Sequence, residues 1–263
     1  MQTRETSRGD FLALLRAAGH PFAARPAAVP SPTRATTAAL DTHSTTVIAL
    51  KFAGGVLNVG DRRATAANAI MYDRADKIQA LDDSTLLAIS GSYAKAMEVI
   101  RYLRHAFQYY RRTQLQEMSL DGKLSEVSRV IAQNVQNALT GIGAFLPVFS
   151  AYDPERAAGR IFFFDGLGAH FESPEWAAAG SGAERIRGAF DYILKTQGPF
   201  HAMSLEQTLR HALVLLDIAA EMDSATGGYE KVLPSARTVT AQGVQSIPDE
   251  QLRDVLAQIG KEA

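Results

Sequence analysis

The chain has 263 residues, a hydrophobic fraction of 46%, a charged fraction of 21% and a formal net charge of -1. Lys+Arg 27 against Asp+Glu 28 gives no electrostatic case for a nucleic acid, and Cys 0 rules out a disulfide framework, a thiol nucleophile or a thiolate metal site. No apolar run approaches the roughly 20 residues that span a bilayer, so the expectation is a cytoplasmic protein with no membrane partner.

Residues 1–44 read as a leader. Phe11-Leu12-Ala13-Leu14-Leu15 is too short for a secretory core and is interrupted by Arg16, and the acidic Glu5, Asp10 and Asp41 weaken a transit-peptide reading. A short helix is expected over 10–18, and residues 21–44, rich in Pro, Ala, Ser and Thr, lack hydrophobic periodicity. Composition changes at Thr45. Strands are predicted over 46–52 and 55–61 about an Ala53-Gly54 turn, then over 69–72, 77–80 and 85–90. Asn58 interrupts the second of these, which is otherwise apolar.

A long amphipathic helix is predicted over 93–114, striped by Ala96, Val99, Ile100, Leu103 and Phe107. A second is predicted over 124–139, ended by Gly141 and Gly143. Strands over 145–152, 159–165 and 172–179 come next, then helices over 183–196 and 204–222, the latter opened by a Ser204/Gln207 capping box. A strand pair over 237–247 and a helix from Pro248 close the chain. Mostly antiparallel strand blocks separated by helix pairs predict an α+β fold, a four-layer αββα sandwich.

The chemistry gathers on Thr45, Asp61 and Lys77, evenly spaced at sixteen residues. Cleavage between Ser44 and Thr45 would give Thr45 a hydroxyl and an α-amine on one residue, a self-contained nucleophile and base. The unperturbed α-amine titrates near neutrality, and a nearby ammonium such as Lys77 favours loss of the hydroxyl proton. Asp61 could anchor that ammonium. Gly91, in Ser90-Gly91-Ser92 between a strand and a helix, could offer a backbone N–H to a developing oxyanion.

These residues carry a resemblance. Thr45-Thr46-Val47-Ile48-Ala49-Leu50, Gly54-Gly55-Val56-Leu57, Gly60-Asp61-Arg62-Arg63-Ala64-Thr65, Lys77, Gly180-Ser181-Gly182 and Asp223-Ser224-Ala225-Thr226-Gly227-Gly228 occur in an order and spacing similar to the bacterial proteasome β subunits among the N-terminal nucleophile (Ntn) hydrolases. The resemblance runs from Thr45 to about residue 247, and it implies a propeptide at 1–44 removed by autocleavage and a catalytic domain at 45–263. It implies Thr45 as the nucleophile, with Asp61 and Lys77 completing the triad and Ser181, Asp223 and Thr226 hydrogen-bonding around the terminal amine. Gly91 would serve as oxyanion donor, and Thr65 with Gly91 would pair with the substrate backbone. Ala64, Ala75, Ile89, Tyr93 and Met97 would line an apolar first specificity pocket, implying cleavage after hydrophobic residues. Thr46 is the rival nucleophile, but Asp61 and Lys77 match the family spacing only when counted from Thr45. The implied assembly is two stacked heptameric β rings with α-subunit rings and a ring ATPase unfoldase, acting on unfolded proteins without a cofactor.

Alternatives are a catalytically silent ring subunit and an Ntn amidase acting on small molecules. The six histidines show no HExxH spacing, so no metal is expected, and His105 and His211 are expected on helix surfaces. Arg101 to Arg112, interleaved with tyrosines, superficially suggests RNA binding, but its helical spacing fits a subunit or solvent face better.

Overall fold

A computed structural model describes residues 45–66, 69–139, 143–229 and 231–262. The leader, with its expected helix, and Ser44 and Gly141 lie outside the described residues. Twelve strands are described: β1 (Thr46–Phe52), β2 (Gly55–Gly60), β3 (Ala64–Ala66), β4 (Ala69–Tyr72), β5 (Ile78–Asp82), β6 (Thr85–Ala88), β7 (Val148–Asp153), β8 (Ala158–Phe164), β9 (His170–Ser173), β10 (Trp176–Gly180), β11 (Ser235–Thr240) and β12 (Gly243–Ser246). The helices are α1 (Tyr93–Gln114), α2 (Leu120–Gln133), α3 (Val135–Leu139), α4 (Ala183–Gln197), α5 (Leu205–Met222) and α6 (Asp249–Glu262).

Two antiparallel sheets form, ordered β10-β1-β2-β11-β12 and β5-β6-β7-β8-β9, with β3 and β4 as a separate hairpin. Period-two alternation along β1 explains the layering. Val47 and Ala49 pack between the sheets with Leu86, Val148 and Ile161, whereas Ile48 and Leu50 pack against Phe190 of α4 and Leu213 of α5. With both faces covered, β1 is apolar at consecutive positions. The second sheet does the same in reverse, turning Leu87, Phe149 and Phe162 onto Ile100 and Leu103 of α1 and Val127 of α2. The order is helix pair, sheet, sheet, helix pair: the four-layer αββα Ntn sandwich.

Two elements differ from the sequence reading. The strand expected over 172–179 is two strands in different sheets, because Pro174 lacks an N–H for a ladder and the chain crosses between the sheets there. Lys51 N–H bonds the Glu175 carbonyl at 2.9 Å and fixes the crossing. The second helix starts earlier, at Leu120, where Ser119 Oγ accepts from Gly122 N–H at 3.1 Å, and it breaks at Asn134. Asn134 is buried, and its Nδ2 donates to the Gly143 carbonyl at 2.7 Å, which takes the chain out of register with a single helix. The Ser204/Gln207 capping box forms as expected, with bonds of 3.0 and 3.2 Å. His105 is exposed, but His211 is half-buried against the edge of Phe200. Asn58 faces the layer between the sheets, where Ser150 Oγ donates to its Oδ1 at 3.0 Å, a polar tie across the sandwich.

A buried ion pair secures α2. Lys123 Nζ lies 2.7 Å from Asp82 Oδ2, with 5% and 17% of the side chains exposed, and it also donates to Ser84 Oγ. Burial pushes the Asp82 carboxyl up, but Lys123 and the Thr85 and Ser84 donors outweigh it and hold it below its ordinary value. The stability it contributes is therefore present above about pH 4 and is lost as pH falls through its lower folded value. Lys123→Met should cost about 3 kcal/mol at neutral pH by leaving Asp82 buried beside an apolar side chain, read from urea unfolding. The deficit should shrink in acid; an equal deficit at all pH values would contradict the pairing.

Candidate active site

Asp61 follows β2 on one sheet, and Lys77 precedes β5 on the other. The sandwich brings them together. Lys77 Nζ donates to Asp61 Oδ1 at 2.8 Å, with 1% and 0% of the two side chains exposed, and also to the Arg63 carbonyl. Asp61 Oδ1 accepts from Thr46 N–H at 2.8 Å as well, while Oδ2 accepts from Arg63 N–H and Gly227 N–H, each at 3.0 Å. Four donors, from Thr46, Arg63, Lys77 and Gly227, converge on one carboxylate, and its ladder of bonds ends on the residue next to Thr45. Burial lowers the Lys77 pKa below its ordinary value, with Asp61 pulling it back up and Arg63 adding to the fall.

Thr45 is buried at the mouth of β1, and its carbonyl accepts from Ser181 N–H at 3.0 Å. Gly180 must be glycine there. Its φ is +111°, and a Cβ would come within 1.7 Å of the Thr45 oxygen.

A hydroxyl relay runs beside the pair. Asp223 Oδ2 accepts from Ser181 Oγ at 2.5 Å and from Thr226 Oγ1 at 2.7 Å. Thr226 thereby spends its one hydroxyl proton on Asp223, so the 2.7 Å contact between Thr226 Oγ1 and Thr46 Oγ1 needs Thr46 as donor. Gly182 N–H donates to Thr46 Oγ1 at 3.2 Å. The Thr46 hydroxyl is thus bonded on both sides, tying β1 to Thr226 and to the Gly182 amide. Burial pushes the Asp223 carboxyl up, but the Ser181 and Thr226 hydroxyls and the Ala225 N–H hold it below its ordinary value.

Gly91 has φ +98° and bridges to Phe145. The flanking residues make the bonds, Ser92 N–H to Ala144 O at 2.8 Å and Leu146 N–H to Ser90 O at 2.9 Å. In such a pair the central residue turns its own N–H away from the facing segment. Thr65 is buried on β3, opposite Ile70 of β4. Among the expected pocket residues, Ile89, Tyr93 and Met97 share one apolar cluster, and Ala64 and Ala75 are buried, Ala75 N–H bonding the Arg62 carbonyl at 2.9 Å.

The sequence reading assigned no part to Arg63. Its Nη1 donates to the carbonyls of Ser224 and Thr226 at 3.1 and 3.2 Å, pinning the 223–228 turn against the Asp61 segment. The only signal was its place beside Asp61 in the Gly60–Thr65 run. Among the described residues no group of acidic and histidine side chains is placed to hold a metal, and no helix is long and apolar enough to cross a membrane.

The family model described as "Proteasome subunit" matches residues 42–232. Similar relatives include a protein named proteasome subunit beta from Streptosporangium roseum, 34% identical over 80% of this chain and 73% of the relative. Another of that name, from Acidothermus cellulolyticus, is 33% identical over 82% of this chain and 75% of its own. Proteasome subunit beta 2 of Thermomonospora curvata is 32% identical over 81% and 75%. The chain belongs to the proteasome subunit family, and these similar relatives are β subunits.

Proposed function

We propose that this chain is the proteolytic β subunit of a self-compartmentalising protease, a threonine endopeptidase made as a zymogen. The observation that carries the reading is the Lys77–Asp61–Thr46 ladder, which sets an ammonium and an anchored carboxylate beside the residue following Thr45. In self-cleavage Thr45 Oγ attacks the Ser44 carbonyl carbon, giving its proton up as the C–O bond forms. The C–N bond then breaks with the Thr45 nitrogen taking a proton, which frees the amine, and water hydrolyses the ester to release the leader as a carboxylate at residue 44 and restore the Thr45 hydroxyl. In turnover the same oxygen attacks a substrate peptide carbonyl, the Thr45 amine relays the proton to the leaving amine, and water then hydrolyses the acyl ester to release the second product and restore the hydroxyl. Gly91 N–H receives the oxyanion. Ser181, Asp223 and Thr226 hold the surroundings of the amine.

The substrate would run extended between Thr65 and Gly91, with a hydrophobic residue against Ala64, Ala75, Ile89, Tyr93 and Met97. Assembly into paired heptameric rings with α-subunit rings and an ATPase unfoldase, in the cytoplasm, belongs to the same reading, and its support is family membership.

Thr45→Ala tests it. Intact mass should show a chain that keeps its leader, and cleavage of a fluorogenic peptide with a hydrophobic residue before the reporter should fall to background. Thr45→Ser should keep both activities at reduced rate. An alanine variant that is still trimmed and still cleaves peptides would sink the mechanism. A wild-type chain trimmed at Thr45 yet inert to peptides would point to a small-molecule amidase, and a stable uncut chain to a structural subunit.

A further inference from the structure

Among the described residues β5 is an edge strand, paired with β6 alone. The Lys77 carbonyl accepts from Ile89 N–H at 2.8 Å, on the β6 side, so alternation turns the carbonyls of Ile78 and Ala80 off the free edge. No neighbouring strand takes them, and guanidinium groups do. Arg104 Nε of α1 donates to the Ala80 carbonyl at 2.7 Å, and Arg237 Nη1 of β11 donates to the Ile78 carbonyl. Capping of this kind blocks edge-to-edge pairing.

Arg237 does more than cap. Its Nη2 donates to Asp76 Oδ2 at 2.8 Å, so one side chain grips the residues on both sides of Lys77. Arg237 also starts from the opposite sheet. On β11, Ala236 packs into the cluster under α4 and α5, so Arg237 points the other way, toward the layer between the sheets. Its partner in register is Asn58 of β2, the strand that ends just before Asp61. Lys77 and Asp61 hang from different sheets, and Arg237 joins the sheet that carries Asp61 to the backbone that carries Lys77.

We propose that Arg237 is a positioning residue for the Lys77–Asp61 pair, a role that rests on the reading of Thr45 as nucleophile. Both arms end on protein groups, the Ile78 carbonyl and the Asp76 carboxylate. The rigid two-point fork of a guanidinium suits the task, and a lysine could satisfy only one point.

The test compares Arg237→Met, Arg237→Lys and Arg104→Met in the full-length chain within its assembled particle. Arg237→Met should slow self-cleavage and lower peptide kcat roughly 10- to 100-fold, because small displacements of a catalytic group carry losses of that size. KM should stay within about twofold, since the lost contact serves the chemical step. Arg237→Lys should recover part of kcat. Arg104→Met removes the other cap on the same edge, away from Lys77, and should leave kcat within about twofold. Wild-type kcat in Arg237→Met would overturn the proposal, as would an equal loss in Arg104→Met, which would reduce both arginines to edge caps. If Arg237→Met does not fold, Asp76→Asn removes the carboxylate arm alone, and wild-type kcat there would be equally fatal. Activity retained in Thr45→Ala would instead sink the underlying reading, whereas an inactive Thr45→Ala beside a fully active Arg237→Met would sink only the clamp.

Discussion

Replacing Lys77 with methionine should abolish both self-cleavage and peptide turnover, with kcat falling by at least about a thousandfold. On the proposed mechanism the ammonium draws a proton from the Thr45 hydroxyl, and methionine matches its length without the charge. The fold should survive in weakened form. Asp61 keeps its bonds from the amides of Thr46, Arg63 and Gly227, so the cost should sit near the low end for a broken buried pair, about 3 kcal/mol. Intact mass, peptidase assay and thermal unfolding on one preparation separate the two effects, and a variant trimmed at wild-type rate would contradict the role. The wild type has a matching pH signature. Burial sets the Lys77 pKa below its ordinary value, so activity that needs the ammonium should fall on the alkaline side earlier than an exposed lysine would dictate. Lys77's own contribution to stability runs the other way. Between the folded and ordinary values the unfolded chain binds the extra proton, so this contribution rises with pH while activity declines. Curves that fell together would point to alkaline unfolding.

Gly180→Ala should be the most damaging small substitution near the site. The added methyl meets the Thr45 carbonyl oxygen at 1.7 Å, and φ of +111° is strained for any side chain. Strained backbone and overpacking each cost about 1–3 kcal/mol, so a loss of about 3 kcal/mol or more is expected. The carbonyl that must move is that of the proposed nucleophile, so self-cleavage should fail even in molecules that fold. Gly188→Ala, on the open face of α4 where a Cβ meets nothing within 4 Å, is the matched control and should be silent or slightly stabilising. A Gly180→Ala chain with wild-type melting and processing would show that the carbonyl moves freely.

Much of this fold was legible because its signals are local. The stripe of α1 and the apolar run of β1 declare themselves within a few turns or residues, and the buried clusters bear out both. The convergence of Asp61 and Lys77 could be suspected from their spacing and from family likeness, but not deduced from periodicity. What stayed hidden depends on distant partners. Asn134 ends a helix because Gly143 offers a carbonyl, and 172–179 divides because Pro174 lets the chain change sheets. Ser119 as N-cap and Asp121 in the first turn mark the earlier start of α2, a local signal that a reading from the apolar stripe beyond Leu124 does not contain. Asn58 looked like a flaw in a strand until Ser150, from the facing sheet, supplied its partner. Arg237 gave no hint, since an arginine in a strand usually marks a solvent face.

The strand order β10-β1-β2-β11-β12 also bears on biosynthesis. The flanks of the first strand come from the next segment and from residues more than a hundred positions downstream, and the sheet is completed by strands near the carboxyl end. A ribosome delivers these pieces in order, so a half-made chain holds Thr45 without Gly180, Ser181 or Gly227. On the proposed mechanism, the emerging polypeptide stays chemically silent until β10 and the 223–228 turn have been made. Removal of the leader would then report that these distant segments have arrived and packed, a checkpoint written into strand order alone.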